Sequence, residues 1–436
     1  MRFVIYGAGK RGREILAVLG KENVLAFADQ DIGKSGKQYC GLPVIGIESL
    51  KGMAEDVMCI LTPVLGRDAI ARNLSSKGIQ HMIYAKPFDR VLYYEKDAVL
   101  SFICSRYKKN EIGIYGVSAG SILLYEYLME RADKNVFFIL DEEESAGNRF
   151  AKKNFAAYHF CDALHKAEVV ISTEANLNKN AEEAIINSGI ELVKMQDLLE
   201  ANISFYNKEV EYFKNIHKGQ RCFIVATGAS LSAKDLETLY LHNEKCISMN
   251  RIYNIFGNTS WRPDYYMIED MLMIEDLSRE IADMDIPVKF IASEPASYWE
   301  QDGLKNSIKY QLFNLDHQGD DLPLFSSKAE RCIYEGSTVT YACIQMAVYM
   351  GFREIYLLGV DFNYSSNLYD EKNHFAGYQR DGMVRLNAVQ PERMKAAYQS
   401  AREYADANGI YIYNATRGGK LEVFERVGFD AIFCDL

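Results

Sequence analysis

An internal repeat constrains this chain more than any other feature. Phe3-Val4-Ile5-Tyr6-Gly7 is a short apolar strand that enters the turn Gly7-Ala8-Gly9-Lys10-Arg11-Gly12, and Ile15, Leu16, Val18 and Leu19 follow at helical spacing. The next apolar run, Val24–Ala28, ends in Asp29. The same grammar restarts at Ile112-Gly113-Ile114-Tyr115-Gly116, with the turn Gly116-Val117-Ser118-Ala119-Gly120, a helical stretch through Tyr127, and the strand Val136–Leu140 ending in Asp141. The later halves correspond as well. Met58–Leu61 precedes Thr62 and Val169–Ser172 precedes Thr173, and a glycine follows each threonine by 16 residues, at Gly78 and Gly189. Strands alternating with helices at this spacing build parallel sheets with right-handed crossovers. The pattern predicts an α/β chain that opens with two tandem small Rossmann-like units, 1–105 and 106–210.

A third block follows the polar stretch Asn207–Gln220. Its expected strands are Cys222–Ala226, Cys246–Met249, Tyr265–Ile268, Val288–Ile291, Glu354–Leu358 and Ile410–Tyr413. Expected helices run over Asp235–Leu241, over Ser337–Met350 with Val339, Cys343, Met346, Ala347 and Met350 on one stripe and Gly351 as the stop, and from Pro391 to Gly409. This larger α/β domain spans 216–436. The total of 436 residues suits two to four domains. Hydrophobic residues at 48% and charged residues at 25% exclude a disordered or collagenous chain.

Other classes fall to charge and pattern. A net charge of −11 argues against a nucleic-acid partner, which needs a basic face. No apolar run approaches the ~20 residues of a membrane span, and the first residues lead straight into a strand, so neither a transmembrane segment nor a signal peptide is expected. Nine cysteines without a C-x-x-C pair read as reduced thiols, which together with the missing leader predicts a cytoplasmic location.

Gly7-x-Gly9-x-x-Gly12 stands where a dinucleotide fingerprint stands, and Asp29, 22 residues after Gly7, stands at the ribose-binding position. This candidate nucleotide site resembles the N-terminal domain of PglD-type sugar acyltransferases, which holds a nucleotide-sugar; the resemblance spans about 85 residues. Gly116-x-Ser118-x-Gly120 matches a nucleophile elbow, but the repeat aligns it with the first glycine turn, so a Rossmann turn already accounts for it. In the third block, Thr227-Gly228-Ala229-Ser230-Leu231 is a small-residue loop between strand and helix whose N–H groups and hydroxyls are expected to cradle phosphate. Asn250 follows the second strand, within reach of a ribose or base, and Asp361 closes a strand at its carboxyl end, where open α/β sheets place ligands. Tyr364, Tyr369, His374 and Tyr378 lie in a polar-aromatic stretch too wet for a core.

Residues 221–430 resemble the MptE-like (6-hydroxymethylpterin diphosphokinase-like) domain, found also in motility-associated flagellin glycosyltransferases. The resemblance is carried by Ala226–Leu231, Gly336-Ser337-Thr338-Val339-Thr340, Gly351–Glu354, Tyr356–Asp361, Asn373-His374-Phe375 and Asn414–Leu421. The same order of motifs is similar to bacterial CMP-sialic-acid sialyltransferases. That similarity implies a glycosyltransferase using a nucleotide-activated sugar, of the CMP-nonulosonic acid class, in surface glycan synthesis with a glycan or protein acceptor. Thr227, Gly228, Ser230, Asn250, Thr338 and Asp361 would bind the nucleotide, Tyr364 and Tyr369 would stabilise the departing phosphate, and His374 would be the general base. Two positions depart from that pattern: the glycine-loop Asn is Thr227, and the second His of His-x-x-x-His is Tyr378. The reading requires no cofactor. A Mg²⁺-ATP diphosphokinase, with Asp264, Asp270 and Asp361 as metal candidates, is the alternative within the family, and a non-catalytic nucleotide-sugar-binding scaffold, oligomeric or not, is the alternative outside it.

Overall fold

The computed structural model describes residues 2–53, 57–63, 66–106, 111–131, 135–140, 155–174, 177–202, 206–293, 307–315, 322–365, 373–377 and 389–434. They form an α/β protein with two compact units, Met1–Ser204 and Phe205–Leu436. Asp141, Tyr369 and Tyr378 lie outside the described residues.

The first unit holds two sheets. One comprises β1 (Phe3–Tyr6), β2 (Val24–Ala28), β3 (Gln38–Tyr39), β4 (Leu42–Ile45), β5 (Met58–Leu61) and β6 (Met82–Tyr84), in the order β3-β4-β2-β1-β5-β6. The other comprises β7 (Glu111–Tyr115), β8 (Asn135–Leu140), β9 (Ala157–His159), β10 (Val169–Ser172) and β11 (Glu191–Val193), in the order β11-β10-β7-β8-β9. Apart from the β3–β4 hairpin, all pairs are parallel, and the run β4-β2-β1-β5-β6 has the same chain order as β9-β8-β7-β10-β11. The correspondence extends to single hydrogen bonds. Thr62 donates from Oγ1 to Tyr6 O at 2.8 Å, and Thr173 donates from Oγ1 to Tyr115 O at 2.9 Å. Gly7 and Gly116 take φ of 111° and 95°, and a Cβ on either would strike the threonine hydroxyl. Gly78 and Gly189, with φ of 89° and 72°, each close the helix that follows that threonine.

Between the sheets runs a helix with no counterpart in the sequence reading, Pro87–Arg106, kinked at Glu95. Asp89 near its start is 1% exposed. One carboxylate oxygen accepts from its own helix at Lys86 N (2.8 Å) and the other from Gly120 N (2.5 Å), at the start of the helix Ala119–Arg131. Behind it Arg90 pairs with buried Glu14 at 3.1 Å, beside Arg11.

The second unit is one nine-stranded parallel sheet. In chain order its strands are β12 (Arg221–Val225), β13 (Cys246–Met249), β14 (Tyr265–Ile268), β15 (Val288–Ser293), β16 (Ser307–Phe313), β17 (Ile333–Tyr334), β18 (Glu354–Leu358), β19 (Tyr411–Asn414) and β20 (Glu425–Arg426). They lie in the order β17-β16-β15-β14-β13-β12-β18-β19-β20. The chain steps outward from β12 in one direction, then returns to its other edge with β18. That reversal is a topological switch point, and crevices for ligands open there at the carboxyl ends of the strands. The helix Val339–Tyr349 is not striped as expected: nearly every side chain is buried, because the sheet covers one side and the helix Pro391–Asn408 covers the other. All nine cysteines are free thiols, five of them buried. Among the described residues, no helix is long and apolar enough to cross a membrane.

Candidate functional site

A cleft of about 150 Å³ opens at the switch point. Its walls are the loops after β12 (Ala226–Gly228), β13 (Met249, Asn250) and β18 (Gly359–Tyr364), the helix start Thr338–Thr340, the pair Asn373-His374, and Tyr398. Thr227, Gly228, Asn250, Thr338, Asp361, Tyr364 and His374 therefore share one cavity although 147 residues separate the first from the last.

Close packing of two loops shapes its floor. Gly228 N donates to Gly359 O at 2.9 Å, and a Cβ on Gly228 would sit 2.3 Å from that oxygen and 2.8 Å from the Asp361 carboxyl carbon. Only glycine fits there. Ser230 N donates to Asp361 Oδ2 at 2.9 Å, and the Ser230 hydroxyl also donates to this carboxylate. This corrects the expectation of a phosphate cradle. The Gly228 and Ser230 donors are consumed in fastening the β12 loop to the β18 loop, and Ser230 is not on the cleft wall. Nor does the loop open the helix directly: Ser232 caps the helix Ala233–Leu241 through Asp235 N.

The segment Asn414–Leu421 supports Asp361 from behind. Lys420 N donates to Asp361 O at 2.7 Å, Val360 N donates to the Thr416 hydroxyl at 3.0 Å, and a Cβ on Gly419 would meet Asp361 O at 2.6 Å. Asn414 ties the segment to itself, donating to Leu421 O and accepting from Thr416 N. Arg417 then bridges Asp235 and Asp430.

His374 is fixed by its ring nitrogen Nδ1, 3.3 Å from Thr227 O and 3.5 Å from the Thr227 hydroxyl. A carbonyl oxygen can only accept, so this contact makes Nδ1 the protonated nitrogen and Nε2 the basic one. Phe375 N donates to the same carbonyl at 3.2 Å, and Asn373 Oδ1 accepts from Ser365 N at 2.9 Å. Tyr364 is 42% exposed, yet desolvation around its hydroxyl, with Tyr398 and Asp361 nearby, raises its pKa, so it is a protonated donor at neutral pH. Sequence reasoning missed Tyr398, fully buried with its hydroxyl 3.5 Å from Thr338 Oγ1, because an aromatic in mid-helix carries no signal of a cavity. It missed backbone strain as well. Asn250, Ser337 and Phe362 have φ of 51°, 59° and 50° around the cleft, a conformation that bulky side chains adopt at a cost of ~1–3 kcal/mol and that clusters at functional sites.

The carboxylates proposed for Mg²⁺ do not assemble. Asp264 precedes β14 and binds Cys246 N (2.9 Å) and Lys245 at the amino edge, one strand length (~13 Å) from the cleft. Asp270 caps the helix Met271–Asp276. Among the described residues, no three His, Cys, Asp or Glu side chains gather in a way that could hold a metal ion.

The first unit's turns are also engaged. Asp29 accepts from Ala8 N at 2.9 Å, from Asp31 N, and from Lys34 Nζ at 3.0 Å. Burial pushes its carboxyl up, but these bonds together hold it below the usual value. The oxygens expected to meet a ribose are thus occupied by the turn itself. Gly12 packs against Gly7 O, where a Cβ would come within 2.1 Å, whereas Gly9 faces open space. In the second turn, Ser118 is fully buried and bonded to Ser121 and Asp89, which rules it out as an exposed nucleophile.

Comparison with known proteins agrees with the architecture of the second unit. Residues 198–367 match the family model described as 6-hydroxymethylpterin diphosphokinase MptE-like, so the chain is MptE-like over that stretch. The match begins before β12 and stops short of His374 and the Asn414–Leu421 support. No curated protein matches. Among solved structures, the chain is similar to the MAf glycosyltransferase from Magnetospirillum magneticum AMB-1, with 15% identity, 79% of this chain and 62% of that chain covered, and a TM-score of 0.35. The chain thus spans less than two thirds of that protein's length, and a likeness of this size bears on neither substrate nor mechanism.

Proposed function

We propose that the protein is a glycosyltransferase whose switch-point cleft binds a nucleotide-activated sugar of the CMP-nonulosonic acid class and an acceptor hydroxyl from a glycan or protein. The observation that carries this reading is the pairing of His374 with Tyr364 in one cavity, the imidazole held by Thr227 O so that Nε2 is basic. In the reaction, the acceptor oxygen forms a bond to the anomeric carbon as the bond from that carbon to the nucleotide phosphate breaks. Nε2 takes the acceptor proton, and the Tyr364 hydroxyl donates to the departing phosphate oxygen. Asn250 and Thr338 are placed to hold the nucleotide. Gly228, Ser230 and Asp361 act indirectly, by holding the two loops in register. Leaving-group stabilisation by neutral donors asks for no metal.

Thermal-shift titration with CMP, CDP, UDP and ATP, each with and without Mg²⁺, tests the reading. Stabilisation by CMP without metal supports it. Stabilisation by ATP that needs Mg²⁺ would point to diphosphokinase chemistry, and no response to any nucleotide would leave a scaffold.

A further inference from the structure

Glu269 is a buried carboxyl that this mechanism leaves unused. It follows β14 directly at the carboxyl edge of the sheet, beside the end of β13, which Asn250 closes. Its Oε2 is sealed from solvent and no protein hydrogen bond reaches it. Its surroundings are Glu335, Asp270, Tyr310, Cys343 and Tyr398. Each has other work. Glu335 accepts from Ser337 N and pairs with Arg393 at 3.5 Å; Asp270 accepts from Leu272 N; Tyr310 donates to Ile268 O at 3.3 Å; Tyr398 meets Thr338. A buried polar group without a partner costs about 1–3 kcal/mol, and such groups in folded proteins call for an explanation. Tyr398 also forms part of the cleft wall, so the carboxyl stands against the cavity at the β13–β14 side.

Position says which part of a nucleotide reaches it. In sheets of this kind the phosphate lies over the first strand and the ribose beside the end of the second, which here are β12 and β13. β14 is two strands from β12, ~10 Å at the usual strand spacing, comparable to the reach from phosphate to base within a nucleoside monophosphate. We propose that Glu269 is the base-reading residue of the cleft, its neutral carboxyl donating O–H to the pyrimidine N3 and accepting from the N4 amine. Desolvation, then the charge of Glu335, then that of Asp270, raises the Glu269 pKa well above its ordinary value and so keeps the proton in place. A pyrimidine edge satisfies both oxygens at once, which nothing in the protein does.

The inference rests on the cleft being a nucleotide site, and calorimetric titration of the full-length protein with CMP and with ribose 5-phosphate separates the two claims. The wild type should bind CMP more tightly than ribose 5-phosphate. Glu269→Met, similar in volume but unable to bond, should lose about tenfold or more in CMP affinity and keep its affinity for ribose 5-phosphate. Glu269→Gln, which retains a donor and an acceptor, should stay close to wild type. If the wild type binds neither ligand, the nucleotide reading fails and the inference with it. If the wild type binds CMP and Glu269→Met binds it equally well, or loses both ligands alike, Glu269 does not read the base. Glu269→Gln behaving like Glu269→Met would overturn the neutral-acid role, and should Glu269→Met not fold, a CMP preference in Glu269→Gln reduced tenfold would do the same.

Discussion

Replacing Asp89 with alanine removes one carboxylate that closes two helices at once. Three donors lose their acceptor: Lys86 N, Gly120 N and the Ser118 side chain. Each sits in a dry interior, since Asp89 is 1% exposed and Ser118 wholly buried, so each orphaned donor costs about 1–3 kcal/mol. Relief works the other way. Desolvation of the carboxyl outweighs its hydrogen bonds and the charge of Arg11, and raises its pKa, so the native residue is itself under electrostatic stress. The net expectation is a loss of about 3 kcal/mol, which for a unit of this size lowers the midpoint by roughly 6–12 °C. Differential scanning calorimetry of the full chain reads it in the transition of the first unit. Asp89→Asn keeps one acceptor and should lose about half as much. An Asp89→Ala midpoint within 2 °C of wild type would show that the carboxylate does not hold the two helix ends together.

His374→Ala should reduce turnover by about 10²–10⁴-fold with CMP affinity nearly intact, read by steady-state kinetics beside titration calorimetry. Gly228→Ala should abolish measurable CMP binding while the far-UV circular dichroism stays native, because the added Cβ lies 2.3 Å from Gly359 O and pries the two loops apart. Glu269 has a folded-state pKa above its unfolded value, so its stabilising share is complete below the ordinary carboxyl range and fades as pH rises through the folded value. Glu269→Gln cannot titrate, and its midpoint relative to wild type should therefore climb from pH 5 to pH 8; a constant difference would contradict the shift. Asp361→Asn should weaken the tie to Ser230 and lower CMP affinity, which calorimetry would register.

Much of this was legible in the sequence for a reason peculiar to parallel sheets. Runs such as Val24–Ala28, Met58–Leu61 and Tyr265–Ile268 are buried on both faces, so an unbroken apolar stretch ends where the strand ends. Turns that demand glycine, Gly7 and Gly116, advertise themselves in the same way. The helix Pro87–Arg106 hid because it is apolar on several sides and carries no Ser or Thr cap, its start being closed by Asp89 at the third position. The site was legible in its residues but not in their roles. Gly228, Ser230 and Asp361 were visible as a small-residue loop and a strand-end acid, yet only the fold shows that they bind each other. Strain at Asn250, Ser337 and Phe362 leaves no trace in residue type.

The reversal of strand order has a consequence for how the protein is made. β12 lies in mid-sheet, but the two neighbours it needs are far apart in time: β13 follows it almost at once, whereas β18 is supplied only near the end. The bond between Ser230 and Asp361 spans 131 residues. At ~5–20 residues per second that is roughly 7–26 s of synthesis. Through that interval one edge of an apolar strand has no partner from its own chain, which is the state most open to pairing with a neighbouring molecule. On the ribosome, the cleft is therefore among the last features of the second unit to exist, and its precursor is the segment that most needs shielding.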